Sequence, residues 1–484
     1  MTFDDLANKS VSDARVLVEV HIGIINTQWV NNGAGLWAVD AENVYSWVDS
    51  TLVEEGFSAL EFGFIGSVKR DDVLLSLVAS LAALTDSTDS YYYDSQDRKV
   101  WVCLTNYHEP SLYLMTINVV RGYSFDEFVP KGSPPVPYQG RLQGVPSVSV
   151  ARDNSFYGLL SYGGGSLDLV NADGELDTLA EENAIYGNPV RIFVGFASLD
   201  YADYQRIYTG VIESFEVSHE SATFGVVDRR KELSRPVREV RASEAPVPSI
   251  VDLLSTHYGF ADTAAFYDLS AKAAADTASA AFEVAYDYTI ARNDKARRPL
   301  IDTIGEILTS GFLLLEYDPD GLLKFSFPDL DAVTSSVIFT ADDIMTDYTV
   351  RYDPNDVISS VKVGHSVSYT TTQTIYQYIR DTDSETSVFA AYKVYREHSV
   401  DLPLANTAIA TTWAAKFMSA HSVVKGTLDV EMPLSYYAAS VGDVVFAELV
   451  RPSKTMIGTV LTQIMSKSWN LQGVPTISFG LRFI

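Results

Sequence analysis

Cysteine is nearly missing from this chain of 484 residues: Cys103 is the only one. A single thiol excludes an internal disulfide and a thiolate metal centre. Within KVWVCLT it reads as a small buried hydrophobe on a strand. Positive charge is scarce as well. Lys and Arg number 35 against 63 Asp and Glu, a net charge of −28, which leaves no broad electrostatic footprint for nucleic acid or an anionic membrane. Long apolar runs are missing. VLLSLVASLAAL at 73–84 covers 12 residues, where a membrane helix needs about 20, so no membrane span is expected. The opening MTFDDLANKS lacks the apolar core of a signal peptide, and synthesis in the cytoplasm is the expectation. His21, His108, His219, His257, His365, His398 and His421 show no HExxH or HxH spacing, so zinc has no local support. The G-x-S-x-G elbow is absent. The glycines of SYGGGS (161–166) are followed by no lysine and open no helix, so they form no phosphate loop. No catalytic residue, cofactor or metal is expected.

What is present is aromatic and strand-like. Tyr (28) and Phe (23) are plentiful, hydrophobic residues make up 47% and charged residues 20%. This is globular composition leaning to β structure, and the length implies several domains. Residues 15–125 carry period-two or short apolar runs (RVLVEVHI, GLWAVD, SALEFGF, KVWVCLT, LYLMTINVV) and predict one β-rich domain. SYYYDSQDRKVWVCL (90–104) reads as strand, polar turn, strand. Tyr91, Tyr92 and Trp101 there suit packing within a sheet or stacking on sugar rings. FVPKGSPPVPYQGRLQGVP (128–146) shifts abruptly to Pro and Gly and marks a connector. Strands resume over 147–240, and RPVREVRASEAPVPS (235–249) is a second, locally basic connector.

The period then changes. SIVDLLSTHYGF predicts a helix with Ser249 as N-cap. RPLIDTIGEILTSG (298–311) predicts another, with Pro299 in its first turn, Ile301, Ile304 and Leu308 on one stripe, and Gly311 at the C′ position. Asp318-Pro319-Asp320-Gly321 between apolar runs predicts a hairpin. NTAIATTWAAKFMSAHS (406–422) predicts a third helix with Ile409, Trp413, Phe417 and Ala420 on one face, and the tail returns to strands. The expected domains are 1–127 (N-terminal, β-rich), 128–245 (first β-barrel with connectors), 246–330 (α+β insertion) and 331–484 (second β-barrel). The fold class is mainly β with an α+β insertion.

Two local features bear on function. Asn171, Asp173, Gly174, Glu175 and Asp177 crowd into NADGELD. An EF-hand loop starting at Asn171 would need Gly at position 6 and Glu at position 12. Glu182 falls at position 12, but Gly174 stands two places early and the flanks are strand-like, so a tight turn is expected instead. The second feature is an echo. NPVRIFV (188–194), IYTGVI (207–212) and TFGVVD (223–228) recur in order as GDVVFAE (442–448), MIGTVL (456–461) and SFGLRF (478–483). Two related β-barrels would explain it, and Gly210 and Gly458 are expected at equivalent places.

The order of these features resembles the phage tail-tip hub proteins. SVSVARDNSFYGLLSYGGGSLDLVNADGELDTL with GNPVRIFVGF and QRIYTGVIESFEVSHESATFGVVDRRKEL looks like their first tail-tube-like barrel. DTIGEILTSGFLLLEYDPDGLLKFSFPDL looks like their α/β insertion. VISSVKVGH and VGDVVFAEL, with IGTVLTQIMSKSWNLQGVPTISFGLRF, look like the second barrel. The resemblance covers roughly residues 145–484 and rests on strand-and-turn order. It implies a trimer, a homo-oligomer in which six similar barrels adapt a threefold tip to a sixfold tail tube. Distal tail and tail-tube proteins, the tape measure protein and tail fibre or central tip proteins are the implied partners. DNA would pass through the channel without specific binding, and the location would be the tail tip of the virion. A sixfold baseplate ring protein, or a carbohydrate- or receptor-binding tail protein, is the alternative. ISFGLRFI ends inside its last strand pattern, so no wall-cutting or fibre extension is expected.

Overall fold

Up to residue 114 the computed structural model describes Phe3 and the strand residues 14–25, 30–31, 36–40, 63–70, 73–74, 76–77, 90–94 and 99–103. Beyond that it describes everything except 132–137, 147, 153–157, 160, 163, 178, 180–184, 235, 238–239, 288–297, 329–334, 354–355, 370–373, 452–453 and 472–474. The chain is mainly β, built of several sheets, and forms two compact units. The first comprises Met1–Pro146 and Gly164–Val227, the second Ser147–Gly163 and Asp228–Ile484.

The first unit is organised by β1 (Ala14–Ile25), β2 (Gly63–Arg70), β3 (Met115–Ser124), β4 (Leu142–Gly144), β5 (Gly165–Val170), β6 (Pro189–Phe196), β7 (Gln205–Val217) and β8 (Ser221–Asp228). With Val73–Leu74 they make one nine-stranded sheet in the order β4-β5-β8-β7-β6-β1-β3-β2-Val73–Leu74. β1 reads ARVLVEVHIGII, and Val16, Leu17, Val18, Glu19, Val20 and Ile22 are all buried. Both faces of the strand are therefore covered, which explains its near-continuous apolar run. Val18 pairs with Ile192 on one side and Tyr123 on the other. The boundary expected at 127/128 thus falls inside one sheet. Backbone pairing joins distant segments that local pattern reads as separate. Ser90–Asp94 and Lys99–Cys103 pair antiparallel, as the strand–turn–strand reading expects.

In the second unit, helices α1 (Pro246–Tyr258), α2 (Leu269–Ser279) and α3 (Leu300–Ser310) pack with β9 (Leu314–Tyr317) and β10 (Leu323–Ser326) on one core. α1 begins earlier than expected. Ala245, not Ser249, is its N-cap, and Ser249 is buried within the helix. Pro246 and Pro248 fit the first turn because backbone N–H groups there have no helical partner to lose. At α3, Pro299 is the N-cap rather than a first-turn residue, and Gly311 is the C-cap with φ −92°. The left-handed position falls on the next residue, Phe312, at φ +54°. Leu313 N–H donates to Leu308 O at 2.9 Å and Phe312 N–H to Thr309 O at 3.3 Å, the double closure of a Schellman motif. The hairpin turn forms as expected: Gly321 has φ +79°, and Asp318 Oδ1 accepts the Leu322 N–H at 2.9 Å.

The rest of the second unit has two further layers. β11 (Ser360–Tyr369) pairs with β12 (Thr374–Asp381) and β13 (Glu397–Asp401). A short helix, α4 (Glu385–Tyr392), stands between β12 and β13 in sequence, and α5 (Thr407–His421) packs on this sheet. Asn406 caps α5, accepting from Ile409 N–H at 3.1 Å. Its buried stripe is Ala410, Trp413, Ala414, Phe417, Met418 and His421. Ile409 and Ala420 lie at the stripe's half-buried margin. Phe282 and Phe312 share this core with Ile358, Trp413 and Phe417, so packing crosses the boundary expected at 330/331. The last strands are β14 (Gly426–Met432), β15 (Val444–Arg451), β16 (Lys454–Asn470) and β17 (Thr476–Phe483).

Candidate functional site

The acidic loop is an arginine clamp. Asn171 is fully buried and organises the turn: its Nδ2 donates to Asp177 Oδ1 at 2.7 Å and its Oδ1 accepts the Leu176 N–H at 2.9 Å. Gly174 takes φ +74° and donates to Asn171 O at 3.0 Å. Arg141, next to β4, grips Asp173 with both Nη atoms and also reaches Glu175 Oε2. Arg121 of β3 takes the other Glu175 oxygen at 3.1 Å. The hydrogen bonds from Arg141 hold the Asp173 carboxyl below the usual carboxylate range. Two guanidinium groups thus occupy the oxygens that a cation would need. The turn expected from sequence is present. Sequence spacing missed the arginines because they stand about thirty and fifty residues upstream. Among the described residues no group of three His, Cys, Asp or Glu could hold a metal ion; Glu182 lies outside them.

The echo corresponds to a repeated frame. In the first unit five strands run in the order β4-β5-β8-β7-β6. In the second, Arg351–Tyr352, β14, β17, β16 and β15 run in the same spatial order and the same chain order. Each frame is a three-stranded meander with an earlier strand laid beside its last, as in a Greek key. The inward residues alternate alike: Val190, Ile192 and Val194 on β6, and Val445, Ala447 and Leu449 on β15, are buried. Phe224 and Phe479 are both fully buried in the last meander strand, each followed by a glycine. The space that a Cβ would need on Gly225 is filled by the Ser214 hydroxyl; on Gly480 it is filled by the Ser466 hydroxyl. The next residue along the middle strand covers the phenylalanine in both frames. The Phe215 ring lies 4.7 Å from Phe224, and Lys467 Nζ lies 5.9 Å from the Phe479 ring centre.

Gly210 and Gly458 do not carry this equivalence. Both lie in the middle strand of the meander, but Gly210 pairs with Val190 near the start of β6, and Gly458 pairs with Leu449 near the end of β15. The matched glycines are Gly225 and Gly480. The echo misleads at Gly210 because loop lengths differ, and only cross-strand register decides which residues correspond.

The remaining candidates do not converge. His421 is buried beside Phe417 and Arg482 in the core under α5, and burial drives its imidazole well below its ordinary range. His398 stacks on Phe417 at 5.0 Å and His365 contacts the Ser366 hydroxyl at 2.8 Å. Cys103, Trp101, Tyr91 and Tyr92 stand in paired strands, and their side chains, with His108, lie outside the described residues. No helix among the described residues is long and apolar enough to cross a membrane.

No family model matches the chain, and no curated protein matches it significantly. Among solved structures it is similar to the tail protein from Neisseria meningitidis MC58, at 11% identity and a TM-score of 0.40 over 71% of this chain and 94% of that one. It is similar to the 43 kDa tail protein of prophage MuSo2 from Shewanella oneidensis, at 11% identity and 0.40 over 73% and 97%. Prophage tail protein gp18 from Listeria monocytogenes EGD-e aligns at 10% identity and 0.36 over 69% and 94%.

Proposed function

We propose that this chain is a non-enzymatic structural protein of a phage tail tip, the hub at which a threefold tip meets a sixfold tail tube. The observation that carries the reading is the repeated frame, five strands in one order occurring twice, with a Gly–Ser contact at the same place in each. One chain offers two similar frames, so three chains offer six. Each frame is read as part of a tube-like barrel. A homotrimer, the distal tail and tail-tube proteins, the tape measure protein and fibre or central tip proteins are the proposed partners. The net charge of −28 suits a channel through which DNA slides, since a basic lining would hold phosphates.

Light scattering on the purified assembly tests this. Three times the 53.2 kDa chain is the expected mass. Six or twelve copies would replace the hub with a ring protein around it, and a protein that stays monomeric with its tail-tube partner added would end the hub reading.

A further inference from the structure

The two frames differ in charge at one matched place. In the second frame the residue paired with the frame glycine Gly480 is Asp429; in the first, the residue paired with Gly225 is Ser166. The frame forms with a serine there, so it does not need the carboxylate. Asp429 lies on the solvent face of β14, since Leu428, Val430 and Met432 alternate into the core. Arg351 pairs with Thr427, which makes Arg351 and Asp429 diagonal neighbours roughly 7 Å apart. Among the described residues neither side chain has an ion-pair partner.

Beside these charges lies a hollow of about 170 Å³, lined by Arg351, Thr427, Leu428, Asp429, Met465, Ser466, Gly480 and Leu481. Gly480 contributes no side chain and Ser466 a short one, which is why the sheet face is indented here. The lining therefore includes one guanidinium residue, one carboxylate residue and two hydroxyl residues, Thr427 and Ser466, among apolar neighbours. A lone anion drawn by Arg351 is repelled by Asp429, and a lone cation the reverse. A molecule carrying both charges satisfies both groups, and a guanidinium binds a carboxylate with particular strength. The volume is below the roughly 300 Å³ at which drug-sized sites begin, so the ligand must be small.

We propose that this hollow binds a small zwitterion, an α-amino acid, with its carboxylate on Arg351 and its ammonium on Asp429. The site lies within one unit and does not depend on the assembly role. Titration calorimetry on the full chain would compare glycine and L-alanine with acetate and methylammonium. The amino acids should bind with a Kd of the order of 1 mM, and the half-ligands about tenfold more weakly or less. Asp429→Asn, Arg351→Gln and Asp429→Ser, the last copying the first frame, should each weaken glycine at least fivefold without moving the unfolding midpoint. Absence of glycine binding, acetate binding as well as glycine, or binding that survives Asp429→Asn would each overturn the proposal.

Discussion

Phe312 sets burial against backbone strain. A bulky residue at φ +54° pays about 1–2 kcal/mol for the left-handed conformation. Its ring is fully buried, 5.1 Å from Phe282 and stacked at 5.1 Å on Trp413. Burying a Phe contributes about 1.5–3 kcal/mol, so packing outweighs strain. Trp413 adds a further tie by donating its indole N–H to Thr309 O at 3.1 Å, at the C-terminal end of α3. Phe312→Ala should cost about 3–5 kcal/mol in urea unfolding. Phe312→Gly should cost about 1 kcal/mol less than Ala, because glycine adopts positive φ without penalty. A glycine variant less stable than the alanine one would sink the strain argument. His421 gives a second residue-scale prediction. Burial, with Arg482, Arg152, His398 and Lys425 around it, lowers its proton affinity in the folded state. The unfolded chain binds that proton below about pH 6.5, so stability is full above this pH and falls as the solution is acidified. His421→Gln should flatten a plot of unfolding midpoint between pH 7 and 5; an unchanged slope would show that the dependence arises elsewhere.

At the scale of elements, the clamp on the acidic loop orders the effects of substitution. Arg141 is largely buried and serves two carboxylates, whereas Asp173 is 49% exposed. Arg141→Met leaves Glu175 and Asp173 crowded without this cation and should cost about 1–3 kcal/mol. Asp173→Asn should cost under about 1 kcal/mol, the range of exposed pairs. Calcium should leave the unfolding midpoint where it is; a rise on adding calcium, reversed by chelation, would mean that the loop takes a cation after all. Asn406→Ala should cost α5 about 1 kcal/mol by loss of its cap. The loop turn and the hairpin at Asp318–Gly321 were both legible from sequence, because each rests on residues within a few positions of one another. The start of α1 was not, because two prolines compete with Ser249 for the same signal. The left-handed C-terminus of α3 was not either, since no local rule places Phe there.

For the whole molecule, the net charge bears on the proposed association. Copies each carrying −28 repel one another, and the range of that repulsion falls from about 30 Å at 10 mM salt to about 8 Å at 150 mM. If the proposed trimer forms, its fraction measured by sedimentation should therefore rise with salt. A trimer that dissociates as salt is added would point to an interface held by complementary charges.

The sequence by itself determined the β-rich class, the α+β segment, the helices α1, α3 and α5 but not α2, and the existence of a repeat. These follow from periodicity, caps and turn residues, which act over a few positions along the chain. Only the tertiary structure decided that β1 joins the sheet of β6, that Phe312 belongs to the core of α5, and that Gly210 does not answer to Gly458. It also brought Arg141 to Asp173 and set Arg351 diagonally from Asp429. Such matters depend on register and on contacts between residues far apart in sequence, and no local pattern encodes them.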